Sequence, residues 1–416
     1  MKNKKTDFVV FKTKDDTCLY HVPTKRRMLF SKDMYERFKK CLYDDENDKE
    51  VETFLDLHFQ PIKEECESVL KRLEIMTCTC CNLDCKYCYA HGGNYDQKEK
   101  IMEVEQNNKI LDFLMKIPND IEEVKFFGGE PFLGYKNIVN TCEWFTNNYK
   151  RAPKFKAVTN MTYLPEELLE AIIKYNIIIT VSLDGPEEIN NQLRYSNQSN
   201  LNVYQRVIDN LKRLKNRGYQ IQAIECTYTD AHIRNGYTKE MLENYFKETF
   251  NVQQVIIADE YHPDSSKIQK FNYEKYINTS DIMDSIDLEL ITRCLSPNHS
   301  GGGLCQVGNK GLTFMPNGDV YPCHMFVYNQ NFKIGNINDV QILDQLDSTN
   351  EKLNTIRKEV GCTECRARNI CSQCFKNYIF DVKDKKIECE DILEMNEYYL
   401  EKSNKVNIQA ELLNKF

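Results

Sequence analysis

Three closely spaced cysteines are the residues best placed to do chemistry: Cys81, Cys85 and Cys88. A thiolate is a soft ligand, and three of them at this spacing can hold three irons of a 4Fe–4S cluster. The fourth iron then stays open for a small molecule. Neither Cys78 nor Cys80 has a cysteine four residues on, so only one register fits. The alternative is a structural zinc site, which three cysteines without a nearby histidine serve poorly.

The Cys81–Cys88 spacing resembles the signature of the radical S-adenosylmethionine (SAM) enzymes. In that family the open iron binds the amino and carboxylate groups of SAM and passes SAM one electron. The 5′-deoxyadenosyl radical that results abstracts a hydrogen atom from the substrate. The resemblance therefore implies a SAM-binding 4Fe–4S cluster and an electron donor such as flavodoxin or ferredoxin.

A glycine-rich turn follows the apolar run Val124–Phe127. Gly128 and Gly129 let a backbone approach a ligand closely, and Glu130 can pair with an ammonium group. The turn resembles the radical SAM element that receives the amino group of SAM. Tyr87 matches the aromatic position that packs near adenine in that family.

Further SAM contacts are implied at the ends of the third and fourth predicted strands. Ser182 opens the run Ser-Leu-Asp-Gly-Pro, and with Arg194 it resembles the stretch that contacts the ribose and carboxylate of SAM. Family members often have His-Asp between these two residues, where this chain has Asn190–Asn191. Asn160 matches the asparagine of a Thr-Asn-Gly run in which Met161 replaces the glycine. A structural turn is the alternative interpretation there.

The cysteines near the C-terminus resemble the SPASM domain, which holds two auxiliary 4Fe–4S clusters in enzymes that modify peptides. Seven cysteines carry this resemblance: Cys305, Cys323, Cys362, Cys365, Cys371, Cys374 and Cys389. The usual last spacing is x3, where this chain has x2 before Cys374.

Family connectivity implies an outer cluster and an inner cluster. The outer one would be held by Cys362, Cys365, Cys371 and Cys389. The inner one would be held by Cys305, Cys323 and Cys374, with Cys294 as a possible eighth ligand of the pair. If Cys294 is a free thiol, the inner cluster keeps an iron open for a substrate cysteine. Two structural zinc sites are the alternative.

His324 follows Cys323 directly and is the predicted catalytic residue. The sulfatase-maturing relatives have an aspartate at this position, proposed as a base. The histidine form resembles that of the ranthipeptide maturases, which join a peptide cysteine sulfur to a non-α carbon. His324 either accepts a proton or braces the cluster.

Apolar runs and helical patterns alternate from about residue 73 to residue 260, which predicts an α/β domain of parallel strands under helices. The predicted strands after the one before Cys81 are Val124–Phe127, Phe155–Val158, Ile177–Val181, Ile221–Ile224 and Val255–Ile257. A helix over 204–214 is closed by Gly218. Six β/α units are too few for a closed eight-fold barrel and fit the partial (β/α)6 barrel of the radical SAM fold.

The predicted domains are a small N-terminal winged-helix-like α+β module at 1–70, the barrel at 71–285, a loop-rich C-terminal iron–sulfur domain at 286–400, and a tail at 401–416. In the module, short β-prone runs over 8–11, 18–22 and 27–30 precede helices over 31–42, 51–57 and 62–73. This order resembles the element that binds precursor peptides in enzymes of ribosomal peptide modification. A structural cap is the alternative.

Composition excludes several partners. A net charge of −8 and a pI near 5.6 argue against nucleic acid. No apolar run approaches the ~20 residues of a membrane helix, and no secretory signal is recognisable. Eighteen cysteines in such a chain favour a cytoplasmic metal protein over a disulfide scaffold.

Two classes of function remain. The first is a radical SAM maturase that forms thioether bonds in a ribosomally made precursor peptide, with carbon–carbon crosslinking, α-carbon thioether formation or sulfatase-type oxidation as alternatives. The second is a non-enzymatic peptide-binding protein with a zinc scaffold.

Overall fold

The computed structural model describes residues 5–12, 16–24, 26–44, 46–59, 69–197, 200–252, 254–260, 307–308, 310–327, 329–339 and 341–368. The chain divides into two compact units. The first comprises Met1–Glu67, Gln269–Gln306 and Lys352–Phe416, and the second comprises Ser68–Ile268 and Val307–Glu351. Among the described residues, no helix combines the length and the apolar character needed to cross a bilayer.

The first unit begins with an antiparallel sheet in the order β1-β2-β3. Its strands are β1 (Phe8–Lys12), β2 (Thr17–His21) and β3 (Arg26–Phe30), followed by helices α1 (Met34–Tyr43) and α2 (Lys49–His58). The three strands and first two helices confirm the sequence prediction. Asp48 caps α2, because its side chain accepts hydrogen bonds from the N–H groups of Glu50 and Val51.

Both faces of this small sheet are covered. Phe8, Val10 and Leu19 pack against α1 and α2, whereas Val9 and Tyr20 on the other face pack with an alanine that follows the 362–365 cysteine pair. The alternation of the two sets along each strand follows from the two-residue period of a β-strand. The module therefore has a core on each side of its sheet.

The second unit contains the predicted six parallel strands in sequence order. The strands are β4 (Leu70–Cys78), β5 (Asn119–Gly128), β6 (Lys154–Thr159), β7 (Ile178–Ser182), β8 (Ala223–Tyr228) and β9 (Gln254–Asp259). The helices between them are α3 (Val104–Leu114), α4 (Tyr135–Asn148), α5 (Glu166–Lys174), α6 (Glu187–Leu193), α7 (Val203–Asn216), α8 (Asp230–Arg234) and α9 (Lys239–Phe250). The partial barrel is confirmed.

Three further strands extend this sheet beyond β4, and the sequence analysis did not predict them. They are β10 (Gly311–Phe314), β11 (Asp319–Tyr321) and β12 (Gly335–Asn336), followed by helix α10 (Ile342–Glu359). β10 runs parallel to β4, and the β10–β11 hairpin turns at Pro316–Gly318. The segment that carries Cys323 is thus built onto the barrel sheet.

The end of the helix predicted over 62–73 is wrong, and residues 62–68 of that prediction lie outside the described residues. The prediction of a helix through residue 73 fails because β4 already begins at Leu70. Leu70 and Leu73 are three residues apart, which suits a helix, but the backbone of this stretch pairs with β5 on one side and β10 on the other. Pairing with two neighbours decides the structure over local periodicity.

Candidate cofactor-binding site

The three predicted cluster ligands lie together on the loop that follows β4. Burial, and then the neighbouring Glu130, Cys85 and Cys88, raises the pKa of the Cys81 thiol. Burial also raises the pKa of Cys85 to about 11, although the charge of Arg194 acts in the opposite direction. Without a metal, these two sulfurs would keep their protons at neutral pH. A set of soft ligands on one loop that needs positive charge to ionise fits an iron–sulfur cluster.

The two glycines of the predicted SAM turn make room for this loop. A Cβ on Gly129 would lie 2.1 Å from the carbonyl oxygen of Cys80, and one on Gly128 would lie 2.6 Å from the carbonyl oxygen of Cys78. Gly128 also has a φ of 149°, which side chains rarely adopt. The close approach that the glycines permit is therefore to the cysteine loop itself.

Glu130 is buried between the ends of β5 and β6. Its Oε1 accepts hydrogen bonds from Phe132 N (3.0 Å) and Thr159 Oγ1 (2.6 Å), and its Oε2 accepts one from Asn160 N (2.7 Å). Burial raises the pKa of Glu130 to about 7 against the effect of these donors. A carboxylate can accept about four hydrogen bonds, so one position on Oε2 remains for an ammonium group.

Asn160 connects β6 to the cysteine loop. Its Nδ2 lies 3.7 Å from Cys81 Sγ and donates to Asn82 Oδ1 at 3.0 Å, while its Oδ1 accepts from the backbone and hydroxyl of Thr162. Met161 has a φ of 56°, which is the conformation that the missing glycine would favour. The turn keeps its shape despite the substitution.

Tyr87 and Arg194 meet at a residue to which the sequence analysis assigned no role. The Arg194 guanidinium forms an ion pair with buried Asp184, and the Tyr87 hydroxyl donates to the same carboxylate. The Arg194 guanidinium carbon also lies 5.4 Å from the centre of the Tyr87 ring. Ser182 ends β7 opposite Glu225 of β8.

His324 lies beside a glutamate of β4. Its Nδ1 is 2.8 Å from Glu74 Oε2 and 3.8 Å from Cys323 Sγ, and its ring lies 4.6 Å from the ring of Phe127. Burial alone would lower the pKa of His324, but the charges of Glu74 and Cys323 outweigh it and raise the pKa to about 9. Lys125 and Thr313 hold the Glu74 carboxylate from the adjacent strands.

Among the other predicted auxiliary ligands, only Cys362 and Cys365 lie within the described residues. They flank a short 3-10 turn in which Cys365 N donates to Cys362 O at 3.2 Å. The remaining predicted ligands lie outside the described residues: Cys294, Cys305, Cys371, Cys374 and Cys389.

Comparison with known families agrees with this arrangement. The model of the radical SAM superfamily matches residues 75–248, and that of the iron–sulfur cluster-binding SPASM domain matches residues 305–375. The chain is a radical SAM/SPASM protein. The radical SAM match includes the cysteine loop and all the predicted SAM contacts, and the SPASM match includes His324.

Several curated proteins are similar to this radical SAM/SPASM chain. The cysteine-type anaerobic sulfatase-maturating enzyme of Clostridium perfringens is 22% identical over 76% of this chain and 93% of its own length. The radical SAM cyclopropyl synthase TigE of Paramaledivibacter caminithermalis is 22% identical over 58% of the chain, and the subtilosin biosynthesis protein AlbA of Bacillus subtilis is 24% identical over 62%. The chain spans about half the length of these last two, 52% and 55%.

Two solved structures share the fold. Native anSMEcpe with bound AdoMet aligns at a TM-score of 0.60 and 21% identity over 80% of this chain and 99% of that one. Streptococcus suis SuiB bound to the precursor peptide SuiA aligns at 0.54 and 16% identity over 91% of this chain and 97% of that one.

The sequence analysis did not assign a role to two residues of the radical SAM/SPASM site, although the sequence contains an indication of each. Asp184 stands in the run after Ser182, but its role depends on an arginine ten residues away. Glu74 is a single acid inside the apolar run Leu73–Met76, and a charge in a buried strand calls for a partner.

Proposed function

We propose that this protein is a cytoplasmic radical SAM enzyme that forms thioether bonds between a cysteine sulfur and a carbon atom in a ribosomally made precursor peptide. The observation that carries the radical SAM part is the loop of Cys81, Cys85 and Cys88, set beside two buried charges, Glu130 and Arg194. Peptides as substrates are supported by the names of relatives: AlbA acts in bacteriocin biosynthesis, and SuiB binds a precursor peptide.

Each residue of the site has its own proposed role in binding the cluster and SAM. When bound, the cluster and SAM would supply radical hydrogen-abstraction chemistry, with a flavodoxin or ferredoxin as the electron donor. Cys81, Cys85 and Cys88 bind the cluster, Glu130 accepts from the SAM ammonium, and Arg194 donates to its carboxylate. Gly128 and Gly129 give the cysteine loop the space to hold the cluster beside SAM. Asn160 and Ser182 would line the rest of the SAM site, with Tyr87 on the adenine side.

His324 is the proposed residue for handling the substrate cysteine. Its Nδ1 is engaged by Glu74, which leaves Nε2 as the ring nitrogen available to a substrate sulfur. Because the Glu74 carboxylate lies 2.8 Å from Nδ1, it favours the protonated, positively charged ring. Such a charge stabilises a thiolate, which is the form of cysteine that bonds to carbon or iron. This supports the thioether assignment over a purely structural role.

Within the part of the chain that the structure describes, the N-terminal sheet has one open edge on which a leader peptide could bind. Along β1, the N–H of Val10 already donates to the Tyr43 hydroxyl at 2.9 Å. Among the described strands, β3 pairs only with β2, and its Leu29 is 60% exposed. An extended leader could add to β3 as a fourth strand, with main-chain hydrogen bonds giving affinity.

The leader assignment is tested with Leu29→Lys, because lysine at a sheet edge discourages strand addition. We expect modification of the leader-containing precursor to fall about tenfold or more, which corresponds to ~1.4 kcal/mol. Met115→Lys, on another apolar residue that is 63% exposed, serves as the matched control and should modify the precursor normally. Equal rates for the two variants would reduce the module to a structural cap.

The reaction itself is tested by co-expressing the enzyme with a precursor peptide encoded beside its gene. Each thioether should remove two hydrogen atoms from the peptide mass and protect one cysteine from alkylation. A carbon–carbon crosslink removes two hydrogens as well, but leaves every thiol open to alkylation. NMR of the product then distinguishes an α carbon from another carbon.

A sulfatase-type oxidation is the second candidate, favoured by the 93% coverage of the Clostridium perfringens enzyme. It replaces the cysteine thiol by an aldehyde, so the peptide loses sulfur and gains carbonyl reactivity. His324 stands where those relatives have a proposed aspartate base, which favours the thioether instead.

The cofactors are three 4Fe–4S clusters, one that binds SAM and two auxiliary ones. Anaerobic reconstitution should therefore give about twelve irons per chain. Near four irons with stoichiometric zinc would reduce the proposal to the SAM cluster alone. A colourless zinc protein would favour the non-enzymatic alternative.

A further inference from the structure

Asp184 lies two residues beyond the end of β7 and has no exposed surface. Its Oδ1 accepts hydrogen bonds from Thr227 N (3.0 Å) and Arg194 Nη2 (3.2 Å). Its Oδ2 accepts from Arg194 Nε (2.8 Å) and the Tyr87 hydroxyl (2.5 Å). Because a carboxylate has about four acceptor positions, these bonds leave none for a ligand. Asp184 must therefore act through its neighbours.

The backbone of Asp184 is fixed as firmly as its side chain. Its N–H donates to Asn190 Oδ1 at 3.1 Å, and its carbonyl oxygen accepts from Nε2 of buried His232 at 2.7 Å. His232 is held in turn, because its Nδ1 accepts from Thr229 N at 3.0 Å. The carboxylate thus has one position and one orientation.

Arg194 is the neighbour of Asp184 that has hydrogen-bond donors left for a ligand. Its side chain is only 9% exposed, and Asp184 engages Nε and Nη2. Within the part of the chain that the structure describes, no residue accepts a hydrogen bond from Nη1. The guanidinium also lies near enough to Cys85 to act on the charge of that thiol. A largely buried cation with an unengaged donor beside a cluster ligand is suited to bind an anionic group.

We propose that Asp184 is a positioning residue that holds the Arg194 fork, and with it Tyr87, so that the free donors of Arg194 meet the carboxylate of SAM. This inference rests on the proposed function, in which SAM binds beside Cys85. In this proposal, the role of Asp184 in the Ser-Leu-Asp-Gly-Pro run is to hold the Arg194 side chain in place.

The test measures SAM affinity and the EPR spectrum of the reduced cluster in the full chain, reconstituted anaerobically. Asp184→Asn should keep its iron and bind SAM about 10- to 100-fold more weakly, as expected for loss of a charge-assisted hydrogen bond. At saturating SAM, its EPR signal should differ from that of the wild type. A merely structural residue would change the melting temperature and leave this signal unaltered.

A double-mutant cycle tests whether Asp184 acts through Arg194. If it does, the double variant Asp184→Asn/Arg194→Gln should bind SAM no more weakly than Arg194→Gln alone. Additive losses would overturn the proposal, and so would wild-type or tighter affinity in Asp184→Asn. Asp7→Asn, which removes an Asp–Arg pair of similar burial in the first unit, is the matched control and should leave SAM affinity unchanged.

If Asp184→Asn fails to hold its cluster, Tyr87→Phe decides, because it removes one hydrogen bond and keeps the charge pair. We expect a several-fold weaker affinity, and unchanged affinity would overturn the proposal. A wild-type chain that holds its cluster and binds no SAM would overturn the proposed function and this inference together. A wild type that binds, with a variant that binds equally, would overturn the inference alone.

Discussion

Glu130 and Asp184 in the barrel and His21 in the N-terminal module are buried polar residues that differ in their hydrogen bonding. In the barrel, Glu130 and Asp184 are completely or almost completely buried, and every acceptor bond described above connects them to a neighbouring loop or strand. In the module, His21 is just as buried, but its Nε2 has no hydrogen-bond partner among the described residues. Burial there lowers the pKa of His21 to about 4, which keeps the ring neutral.

This difference in hydrogen bonding between Glu130, Asp184 and His21 follows from the different roles of the three residues. A buried charge is expensive unless hydrogen bonds compensate it, so it is kept where its position matters. Glu130 and Asp184 follow the carboxyl ends of β5 and β7, where ligands of parallel sheets bind. In the module, His21 packs between Phe8 and Phe59 at centroid distances of 4.8 and 5.0 Å and serves as an aromatic spacer.

The largest effect should come from removing the proposed cluster ligands that lie beside Glu130 and Arg194. Replacing Cys81, Cys85 and Cys88 together by alanine should abolish SAM cleavage and remove about four irons. The auxiliary clusters use other ligands and should remain, as iron analysis and EPR would show. Retained 5′-deoxyadenosine production by the triple variant would contradict the cluster assignment.

Glu130→Gln should keep the cluster and weaken SAM binding by about 1.5–3 kcal/mol, because it removes a charged acceptor from the ammonium. An amide also cannot accept from Phe132, Thr159 and Asn160 on both of its ends. Isothermal titration of SAM into the anaerobic protein measures the effect. Equal affinities in variant and wild type would remove Glu130 from the site and weaken the contrast with the module.

The module should lose stability in mild acid. The pKa of His21 is about 4 in the folded chain and 6.5 in the unfolded chain. As the pH falls below 6.5, the unfolded chain therefore binds a proton at His21, whereas the folded chain binds it only near pH 4. Stability contributed by the neutral ring is complete above pH 6.5 and is lost between pH 6.5 and 4, by up to ~3 kcal/mol.

Hydrogen exchange of β1 and β2, corrected for intrinsic rates, measures this loss. His21→Phe cannot titrate and is the matched control, so its protection should stay level over the same range. Protection of the wild type that does not change between pH 6.5 and 4 would show that His21 finds a partner in solution.

The smallest effect should come from a charge in the middle of a barrel strand. Glu123 on β5 pairs with Lys156 on β6 at 2.7 Å, and their side chains are 24% and 38% exposed. Water screens such a pair, so Glu123→Gln should lower the free energy of unfolding by less than about 1 kcal/mol. Denaturant unfolding measures this loss, and a loss as large as for a buried ion pair would show that water does not screen the Glu123–Lys156 pair.

The sequence predicted the parts of this protein that depend on local pattern. Strand periodicity, turn glycines and cysteine spacing predicted the six barrel strands, the N-terminal sheet and the loop of cluster ligands. The start of β8 at Ala223, where a strand from residue 221 was expected, shows how loosely the same patterns define boundaries.

The sequence alone could not predict interactions between residues that are distant along the chain. Glu74 and His324 are 250 positions apart, and they meet only because β10 pairs with β4. Asp184 and Arg194 are close in sequence, but the burial that turns their attraction into a fixed fork comes from the packing of several elements. Patterns in one chain identify such residues as charged and leave their partners undetermined.

The pairing of β10 with β4 has a consequence for how the protein is made. β4 leads into the cluster loop, yet one of its two neighbouring strands is translated about 240 residues later. During synthesis, the first strand of the barrel therefore has an unpaired edge until Gly311–Phe314 leaves the ribosome. Contacts at such long separation slow folding and leave edges open to wrong partners. Cluster insertion before that point would occur on an incomplete sheet, so we expect the nascent chain to need chaperone protection until Gly311–Phe314 has left the ribosome.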